Sequence, residues 1–563
     1  MSVSPDGRLV TGFFGTAGNL AVRDLNTGET RNLTNKGYPE LVMGSVFSPD
    51  GGRIAYSWHN ADDFDDLRVV GLDDSEPRLL YRDPRRRSVA IKNWSLDGKQ
   101  LLITIRGAEL DNEIASVAVS DGSIRRLVPD MVLHELPARM AFSPEGDLVV
   151  YDVRVPEGLP NHDIYIVERD AVRARALVEH AADDVLLGWS PDGTGILFAS
   201  DRSGEVDIWF LPLDNGYPDG HPRVLKGNVG QLAPLALSQD GSFYYGVTRC
   251  DCGVYLAELD PVTGSLDGAP RRVASAFHRT GVDWSPDGKR LAYVTPAGGV
   301  LADNWMLAVQ SLETGDSRTF GVSVWVLHQL RPFWSPDGRF LLAKGWDSSA
   351  YPREVVYGVA VETGELKTLV ASPSYWHDDT IEWVEWSADG KAVFFVRGTA
   401  GFPPSLRIVR RDLESGQEED LFEFTAPPYV YGLTASPDGR HLAFGVWDTG
   451  ERRSILNILP LEAGEPLELT SVSLPAGIDP PAWTPDSRHL IYQTDGELWR
   501  ISIDGGEPLS LGSLAPLAIY RGALSVHPAG RRIAFVAEPS RSSEVWVLKN
   551  LPSVRSEPEG SVR

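Results

Sequence analysis

Residues 282–294 read VDWSPDGKRLAYV and contain the motif on which the fold prediction rests. Ser-Pro-Asp-Gly occupies positions 285–288. The proline presets φ for the second position of a turn, the aspartate can bond to its own backbone, and the glycine accepts a positive φ. Apolar residues alternate or run together on both sides of the motif, as they do in β-strands. The stretch therefore predicts a hairpin of strand, turn and strand.

The same tetrapeptide, or a variant of it, recurs along the whole chain. Its twelve copies begin at Ser4, Ser48, Ser95, Ser143, Ser190, Ser238, Ser285, Ser335, Ser387, Ser436, Thr484 and, in degraded form, His527. The intervals run from 43 to 52 residues, which is typical of propeller repeats. A third strand follows each turn, in segments such as VYLAELDPVTG (254–264) and VWVLKN (545–550), and a Gly-rich turn then leads to a fourth. Each repeat is thus predicted to form one four-stranded blade.

Twelve blades are too many for one ring, because propellers typically hold about 4–8. The all-β fold predicted is therefore a pair of tandem β-propellers, most economically with six blades each. The N-terminal propeller is predicted at residues 1–270 (repeats 1 to 6) and the C-terminal one at 271–563 (repeats 7 to 12). A split of five plus seven stays open. Only three residues precede the first turn, so either ring closure borrows a strand or residues are missing before Met1.

The composition and net charge of the chain limit the classes of partner that it is expected to bind. The chain has 563 residues, with 53 Lys and Arg against 78 Asp and Glu, a net charge of −25. Such an acidic surface repels phosphate backbones and anionic lipid, so nucleic acid is not an expected partner. No stretch approaches the ~18 consecutive apolar residues that a transmembrane helix requires, so membrane insertion is not expected either. The N-terminal sequence lacks the pattern of a secretory signal. A cytoplasmic protein is expected from the chain as given, and a periplasmic one if its N-terminus is incomplete.

Two cysteines, Cys250 and Cys252, are the only ones in the chain. A CxC pair without further cysteines is a weak metal or redox signal. We expect them to be two small residues on a hairpin.

The repeats resemble a known family. Segments such as FSPDGGRIAY (47–56), WSPDGRFLLA (334–343) and FASDRSGEVDIW (198–209) look like the WD40-like Pro-Asp repeats of TolB-like propellers. Similar repeats occur in the N-terminal propellers of tricorn protease and of the dipeptidyl-peptidase group. The whole run of repeats looks most like bacterial multi-repeat TolB-like proteins. The resemblance implies a propeller fold and leaves the function open, because unrelated functions use the same fold.

The hydrolase activity of some relatives is not expected here. An α/β-hydrolase requires a GxSxG nucleophile elbow, and the sequence contains none. The repeats also fill the chain from residue 4 to about 550, which leaves no room for a catalytic domain of about 150 residues.

The 16 tryptophans divide into two groups. Ten precede a turn or lie in a third strand and are predicted to pack between blades: Trp94, Trp189, Trp284, Trp334, Trp386, Trp483, Trp209, Trp305, Trp499 and Trp546. Of the others, five fall in repeats eight to ten: Trp325, Trp346, Trp376, Trp383 and Trp447. Aromatic faces can stack on peptides and sugars, so this clustering indicates a binding site there, with extra blade packing as the alternative.

Histidines in consecutive connections between blades give the second indication. His278, His328 and His377 could point to one rim and hold a divalent metal, with three unrelated surface imidazoles as the alternative. The ligand-binding residues predicted on this rim are Trp346, Trp376, His377, Asp378, Asp379 and Arg331.

Two charge runs lie in the second and third repeats. The acidic run at residues 62–66 lacks the glycine and terminal glutamate of an EF-hand loop, so a solvated loop is predicted. The basic run at 85–87, with Arg82 nearby, could pair with that loop or bind an anionic partner.

The function predicted is a non-catalytic binding or docking module for a protein, peptide or glycan, without a cofactor. One alternative is a metal-dependent lyase or hydrolase, with its site over the channel of the second propeller and His278, His328 and His377 as ligands. The other is the sensory half of a larger bacterial regulator.

Overall fold

The computed structural model describes most of the chain, in many short ranges. These are residues 2–12, 18–36, 40–60, 64–73, 76–107, 112–127, 136–154, 161–168, 173–230, 233–237, 242–250, 252–260, 263–276, 280–296, 300, 305–320, 331–346, 353–373, 379–399, 405–424, 429–448, 451–462, 464–473, 477–515, 517–519, 524–538 and 541–548. Their regular secondary structure consists of β-strands.

Five sheets follow one another along the first part of the chain. Blade 1 contains β1 (Ser2–Val3), β2 (Leu9–Gly12), β3 (Ala21–Asp24) and β4 (Thr30–Asn32). Blade 2 contains β5 (Leu41–Phe47), β6 (Arg53–His59), β7 (Asp65–Gly71) and β8 (Arg78–Tyr81). Blade 3 contains β9 (Arg86–Trp94), β10 (Gln100–Gly107), β11 (Glu113–Ala118) and β12 (Ile124–Arg126). Blade 4 contains β13 (Met140–Phe142), β14 (Leu148–Arg154), β15 (His162–Glu168) and β16 (Arg175–Val178). Blade 5 contains β17 (Asp184–Trp189), β18 (Gly195–Ser200), β19 (Asp207–Asp214), β20 (Tyr217–Pro218) and β21 (Arg223–Lys226).

The remaining strands form blades 6 to 12, and the strands of repeats 6 and 12 are shared between two sheets. Blade 6 starts with β22 (Ala233–Leu237) and β23 (Phe243–Cys250), and β24 (Gly253–Leu259) and β25 (Leu266–Ser275) follow in another sheet. Blade 7 contains β26 (Val282–Trp284), β27 (Arg290–Pro296), β28 (Trp305–Ser311) and β29 (Ser317–Phe320). Blade 8 contains β30 (Phe340–Trp346), β31 (Glu354–Ala360) and β32 (Leu366–Ala371), with Trp334 bridged to Leu341 in the innermost position. Blade 9 contains β33 (Asp379–Trp386), β34 (Ala392–Thr399), β35 (Ser405–Asp412) and β36 (Glu418–Phe424). Blade 10 contains β37 (Tyr429–Ala435), β38 (His441–Asp448), β39 (Arg453–Pro460) and β40 (Leu467–Ser473). Blade 11 contains β41 (Ala482–Trp483), β42 (His489–Thr494), β43 (Glu497–Ser502) and β44 (Leu509–Ser513). The chain continues with β45 (Ala518–Ile519), β46 (Ser525–Val526), β47 (Arg532–Glu538) and β48 (Arg541–Leu548).

Repeats 6 and 12 exchange their third strands. In blade 6 the strand order is β22, β23, β48, so the third strand comes from the C-terminal end of the chain. In blade 12, β47 pairs with β24, with Val536 opposite Val254, and β25 lies on the outside. The exchange thus links blades 6 and 12, whereas the short inner strand of blade 1 is formed by Ser2 and Val3.

The exchange gives two compact units that are not contiguous in sequence. Unit 1 contains residues 1–248, 298–304 and 543–563, and unit 2 contains residues 249–297 and 305–542. The predicted domains, 1–270 and 271–563, are contiguous segments. The units differ from them because each takes strands from both sides of that division.

Each unit is a closed ring of six blades. In unit 1 the inner strands contact one another in the cyclic order β1, β5, β9, β13, β17 and β22, and β22 contacts β1. In unit 2, β33, β37, β41, β46 and β26 form the corresponding series, and blade 8 contacts blade 9 through β31. The amide of Trp334 joins blade 8 to blade 7 by donating to Asp283 Oδ2 at 3.0 Å. The predicted fold of two six-bladed propellers is confirmed.

The turn motif forms the hydrogen bonds that its residues allow. Ser285 Oγ donates to Asp287 Oδ1 at 2.5 Å and accepts the amide of Arg290 at 2.9 Å. Asp287 Oδ1 also accepts the amide of Lys289 at 3.0 Å, and Gly288 has a φ of 69°. The left-handed conformation explains the glycine, because it strains residues that carry a Cβ. The repeated tetrapeptide is thus a self-contained turn that sets the register of each hairpin.

Tryptophans that precede the turn pack between blades, as predicted. All six are buried, with 4–7% of their surface exposed. Trp386 Nε1, for example, donates to the carbonyl oxygen of Phe333 in the preceding blade at 3.2 Å. The prediction is wrong for Trp546, which is 45% exposed. It lies on β48, which is the edge strand of its sheet among the described residues.

Two other expectations are corrected. Asp65 and Asp66 are not part of a solvated loop but lie buried at the start of β7. Asp66 binds Arg68 and Arg82, both at 2.6 Å, so the alternative pairing of Arg82 with the acidic run holds. Cys252 is disulfide-bonded rather than free.

Candidate ligand-binding cavity

Inner strands lie at the edge of their sheets, so some of their backbone N–H groups need acceptors from a neighbouring blade. In unit 2 carboxylates supply them. Glu354 Oε2 accepts the amide of Ile381 at 2.6 Å, as Asp283 does for the amide of Trp334. The same two carboxylates pair with cations: Glu354 with Lys344 at 3.3 Å, and Asp283 with Arg331 at 3.4 Å. The carboxylates that join neighbouring blades thus also position Lys344 and Arg331.

These two cations line an open cavity in unit 2. Its walls come from blades 8 to 10 and from the segment that enters blade 11. The lining residues are Arg331, Phe333, Leu342, Ala343, Lys344, Val356, Trp383, Val384, Gly432, Leu433 and Pro480. Arg331 and Lys344 are the charged members of this set, and the other side chains are apolar or aromatic.

Arg331 is held rigidly. Its side chain is 10% exposed, and its guanidinium lies over the ring of Phe333, 4.6 Å from the centroid. A Cβ on Gly281 would lie 2.8 Å from Cβ and Cγ of Arg331, so the glycine makes room for this side chain. Arg331 Nε is buried and has no hydrogen-bond partner.

Trp383 occupies an unusual backbone conformation on the inner strand of blade 9. Its φ is 49°, and the register of β33 shifts between Glu382 and Glu385. Blade 10 has the same shift around Gly432, which lies, like Trp383, four residues before the turn serine and has a φ of 69°. A left-handed conformation favours glycine and strains a tryptophan. Trp383 Nε1 is buried without a hydrogen-bond partner.

Two glutamates of β33 lie among these charges. Burial raises the pKa of Glu385 to about 8, with Arg331 opposing the shift and Asp283 adding to it. Glu385 Oε1 accepts the amide of Trp386 at 2.8 Å. Burial also raises the pKa of Glu382, against the effect of Lys344. Both carboxyl groups are therefore more easily protonated than ordinary glutamates.

Of the ligand-binding residues predicted from sequence, Arg331 lines the cavity. Trp346 is the last residue of β30, where it pairs with Glu354, and Asp379 is the first residue of β33. The side chains of Trp346 and Asp379 are not among those that the structure describes. The remaining predicted residues lie outside the described ranges: Trp376, His377, Asp378, His278 and His328. Their roles stay predictions.

Sequence reasoning missed Lys344 as a lining residue. It also missed Asp283, Glu354 and Glu385, the carboxylates outside the lining that interact with its two cations. A signal existed for two of them. Asp283 and Glu385 each lie two residues before the turn serine, where most other repeats have an apolar or uncharged residue. A carboxylate on an inner strand is unusual, because buried charges need partners.

The described part of the chain shows neither a metal centre nor a membrane-spanning helix. No group of three or more His, Cys, Asp or Glu side chains there is arranged to hold a metal ion. No helix there has the length and hydropathy needed to cross a membrane.

Comparisons with known proteins give partial matches. No family model matches the chain. The uncharacterized peptidase YuxL of Bacillus subtilis is 28% identical over 222 residues, which cover 38% of this chain and 29% of YuxL. The chain thus spans less than a third of that relative. The uncharacterized protein Atu1656 of Agrobacterium fabrum is 25% identical over 278 residues, 46% of this chain and 82% of that protein.

Solved structures with similar folds include two TolB proteins and a protease. A putative TolB from Agrobacterium tumefaciens matches with a TM-score of 0.38 and 18% identity, over 52% of this chain and 99% of that one. Tricorn protease matches with a TM-score of 0.28 and 13% identity, over 90% and 62%. TolB from Acinetobacter baumannii matches with a TM-score of 0.26 and 16% identity, over 66% and 82%. In the sequence of its repeats, the chain resembles TolB-like β-propeller proteins.

Proposed function

We propose that this protein is a non-catalytic propeller module that binds a segment of peptide or protein in the cavity of unit 2. The observation that carries the proposal is the cavity itself, where Arg331, Lys344 and Trp383 offer N–H donors among apolar walls. Ligand sites are typically concave and mostly apolar, with a few well-placed polar groups.

The residues that line the cavity suit recognition better than catalysis. The set contains no serine, cysteine, histidine or carboxylate, the usual nucleophiles and general bases. Both cations are held by partners, Lys344 by Glu354 and Arg331 by Asp283. Donors held in place in this way suit a ligand group that accepts hydrogen bonds.

A peptide is the ligand we favour over a glycan. The cavity has one indole and a phenyl ring, and Arg331 already covers the phenyl ring of Phe333. A sugar would require a freely exposed aromatic platform and several hydrogen-bonding side chains. The peptidase-named relative YuxL also supports a peptide as the ligand class.

Calorimetric titration of the full chain tests this proposal. The probes are a pool of N-acetylated hexapeptides with randomised positions, and cellohexaose and chitohexaose as glycans. We expect the peptide pool to bind the wild-type protein and to lose affinity for Trp383→Gly. If only a glycan binds, or if binding is unchanged in the variant, the proposed ligand or site is wrong.

The metal content of the purified protein distinguishes the proposed binding module from the alternative, a metal-dependent enzyme. A stoichiometric transition metal that is lost in the triple alanine variant of His278, His328 and His377 would overturn the proposal of a non-catalytic module.

A further inference from the structure

We propose that the cavity of unit 2 recognises a carboxylate group of its peptide, bound by Arg331, Lys344 and the indole N–H of Trp383. This inference rests on the proposed function and names the group that the site selects.

Two unpaired donors are the first argument. Arg331 Nε and Trp383 Nε1 are both buried without a hydrogen-bond partner, and both residues line the cavity. Buried donors in native proteins almost always have an acceptor, and an exception indicates a missing ligand, ion or water. Lys344 adds a third donor on the same wall. A ligand group that accepts hydrogen bonds would complete this set.

The charge of the lining residues also favours an anionic ligand group. The charged lining residues are both cationic, although the chain as a whole carries −25. A guanidinium and an ammonium favour an anionic acceptor over a neutral carbonyl, because charge-assisted hydrogen bonds are about twice as strong. Guanidinium geometry in particular matches a carboxylate.

The surrounding carboxylates are compatible with an anionic ligand. Asp283 and Glu354 already pair with the two cations and also accept hydrogen bonds from backbone amides of the next blade. Burial raises the pKa of Glu382, and it raises that of Glu385 to about 8, so Glu385 carries less charge near neutral pH than an exposed glutamate. The 3.4 Å contact from Arg331 to Asp283 involves Nη2 and leaves Nε for the ligand.

Backbone strain at the same site is the third argument. Trp383 keeps a φ of 49° at a position where blade 10 has a glycine. Strained conformations concentrate at functional sites, where a particular side chain is needed in spite of them. An indole N–H donor in the lining of the same cavity as the two cations is such a need.

A carboxylate can come from a free C-terminus or from an Asp or Glu side chain. Three pools of N-acetylated hexapeptides distinguish these sources: free C-terminal acids without Asp or Glu, the same sequences as C-terminal amides, and amides with glutamate fixed at the fourth position. Binding to the full-length protein is measured by calorimetric titration of each pool.

We expect one or both of the carboxylate-bearing pools to bind about tenfold or more tightly than the neutral amides. Lys344→Gln should abolish this ratio, whereas Lys289→Gln should keep it. Lys289 is the matched control because it pairs with Glu313 in an exposed salt bridge, 3.1 Å long. Arg331→Lys keeps the charge and removes Nε, so it should reduce the ratio while the thermal unfolding curve shows an intact fold.

The outcomes separate this inference from the proposed function. Equal binding of all three pools overturns the carboxylate inference and leaves peptide binding in place. Binding of none of them overturns both. A tenfold ratio that survives in folded Lys344→Gln and Arg331→Lys proteins means that a carboxylate binds elsewhere, and it overturns the assignment of the cavity.

Discussion

The imidazole of His527 packs edge-on against the indole of Trp284, with the ring centroids 4.6 Å apart. His527 Nε2 also lies 3.2 Å from the carbonyl oxygen of Gly288, so the degraded twelfth turn contacts the turn of blade 7. In several other turns the glycine lies against the proline of the preceding turn, as Gly338 does against Pro286. His527 therefore closes the ring of unit 2 where the twelfth motif departs from its consensus.

Closure by His527 predicts a loss of stability in mild acid. Burial, the largest cause, and Arg532 lower the pKa of His527 below 6.5, against the hydrogen bond to Gly288. A base with a lowered pKa contributes stability above its ordinary value, and this stability is lost as the pH falls from about 6.5 through the folded pKa. The midpoint of thermal unfolding should fall between pH 7 and pH 5 by more in the wild type than in His527→Gln.

His221→Gln is the control, because His221 is exposed on blade 5. If both variants and the wild type show the same pH profile, His527 does not contribute to closure in this way.

Glu385 predicts the opposite pH dependence. Its folded pKa of about 8 lies above the ordinary 4.5, chiefly because of burial, with Asp283 adding to the shift and Arg331 opposing it. The stability that the neutral acid contributes is complete below about pH 4.5 and is lost as the pH rises through 8. Glu385→Gln should therefore unfold at higher denaturant concentration than the wild type at pH 9. Glu313→Gln, at an exposed site, should match the wild type; a wild-type profile in Glu385→Gln would contradict the buried acid.

Two tryptophans of β33 should respond differently to glycine. Trp383→Gly loses a partly buried indole but relieves a strain of about 1–2 kcal/mol, so its free energy of unfolding should stay within about 1–2 kcal/mol of the wild type. Trp386→Gly should lose at least about 3–5 kcal/mol, because Trp386 is buried and donates to Phe333. Denaturant unfolding measures both. Equal losses would show that the conformation of Trp383 carries no strain.

Asp66 should be far more important for stability than its place in an acidic run suggests. It is fully buried between Arg68 and Arg82. Burial alone would raise the pKa of Asp66, but the hydrogen bonds from Arg82 and Arg68 lower it below 3.8. Asp66→Asn should reduce the free energy of unfolding by about 3 kcal/mol at pH 7, because it leaves two arginines without a counter-charge.

Asp83→Asn serves as the comparison for Asp66. Its partner Arg85 is 88% exposed, so the loss should be about 0–1 kcal/mol. The gap between the two variants should narrow as the pH falls below about 4, where the stability from Asp66 is lost. Similar losses at pH 7 would contradict a buried ion-pair network.

The strand exchange predicts that the C-terminus stabilises unit 1. β48 completes blade 6, and Leu548 packs against the cluster that contains Ile208 and Phe243. A chain that ends after residue 540 should lower the unfolding temperature of unit 1 by about 5 °C or more, because losing a core leucine alone costs about 2–5 kcal/mol. A chain that ends after residue 550 controls for the tail. Calorimetry that shows unit 2 destabilised instead would contradict the exchange.

The cavity shows how far sequence reasoning reaches into a site. Arg331 was predicted as a ligand contact and lines the cavity, and Trp383 belonged to the tryptophan cluster of repeats eight to ten. Lys344 and Glu354 could not be predicted, because they lie on neighbouring strands of ordinary pattern and become a pair only when blade 8 forms. The left-handed conformation of Trp383 could not be predicted either, because the sequence of residues 380–386, TIEWVEW, contains no signal for a shift of register.

The blades themselves follow from the amino-acid sequence, because their information is local. A Ser-Pro-Asp-Gly turn makes its own hydrogen bonds, and the strands on either side alternate within a few residues of it. The number of blades follows from the number of turns. Which third strand joins which blade was decided only by the tertiary structure. Residues 254–264 and 545–550 have the same strand pattern, and each could follow its own turn. The structure pairs each with the other repeat, because two rings in one chain can each be closed by strands that come from distant parts of the sequence.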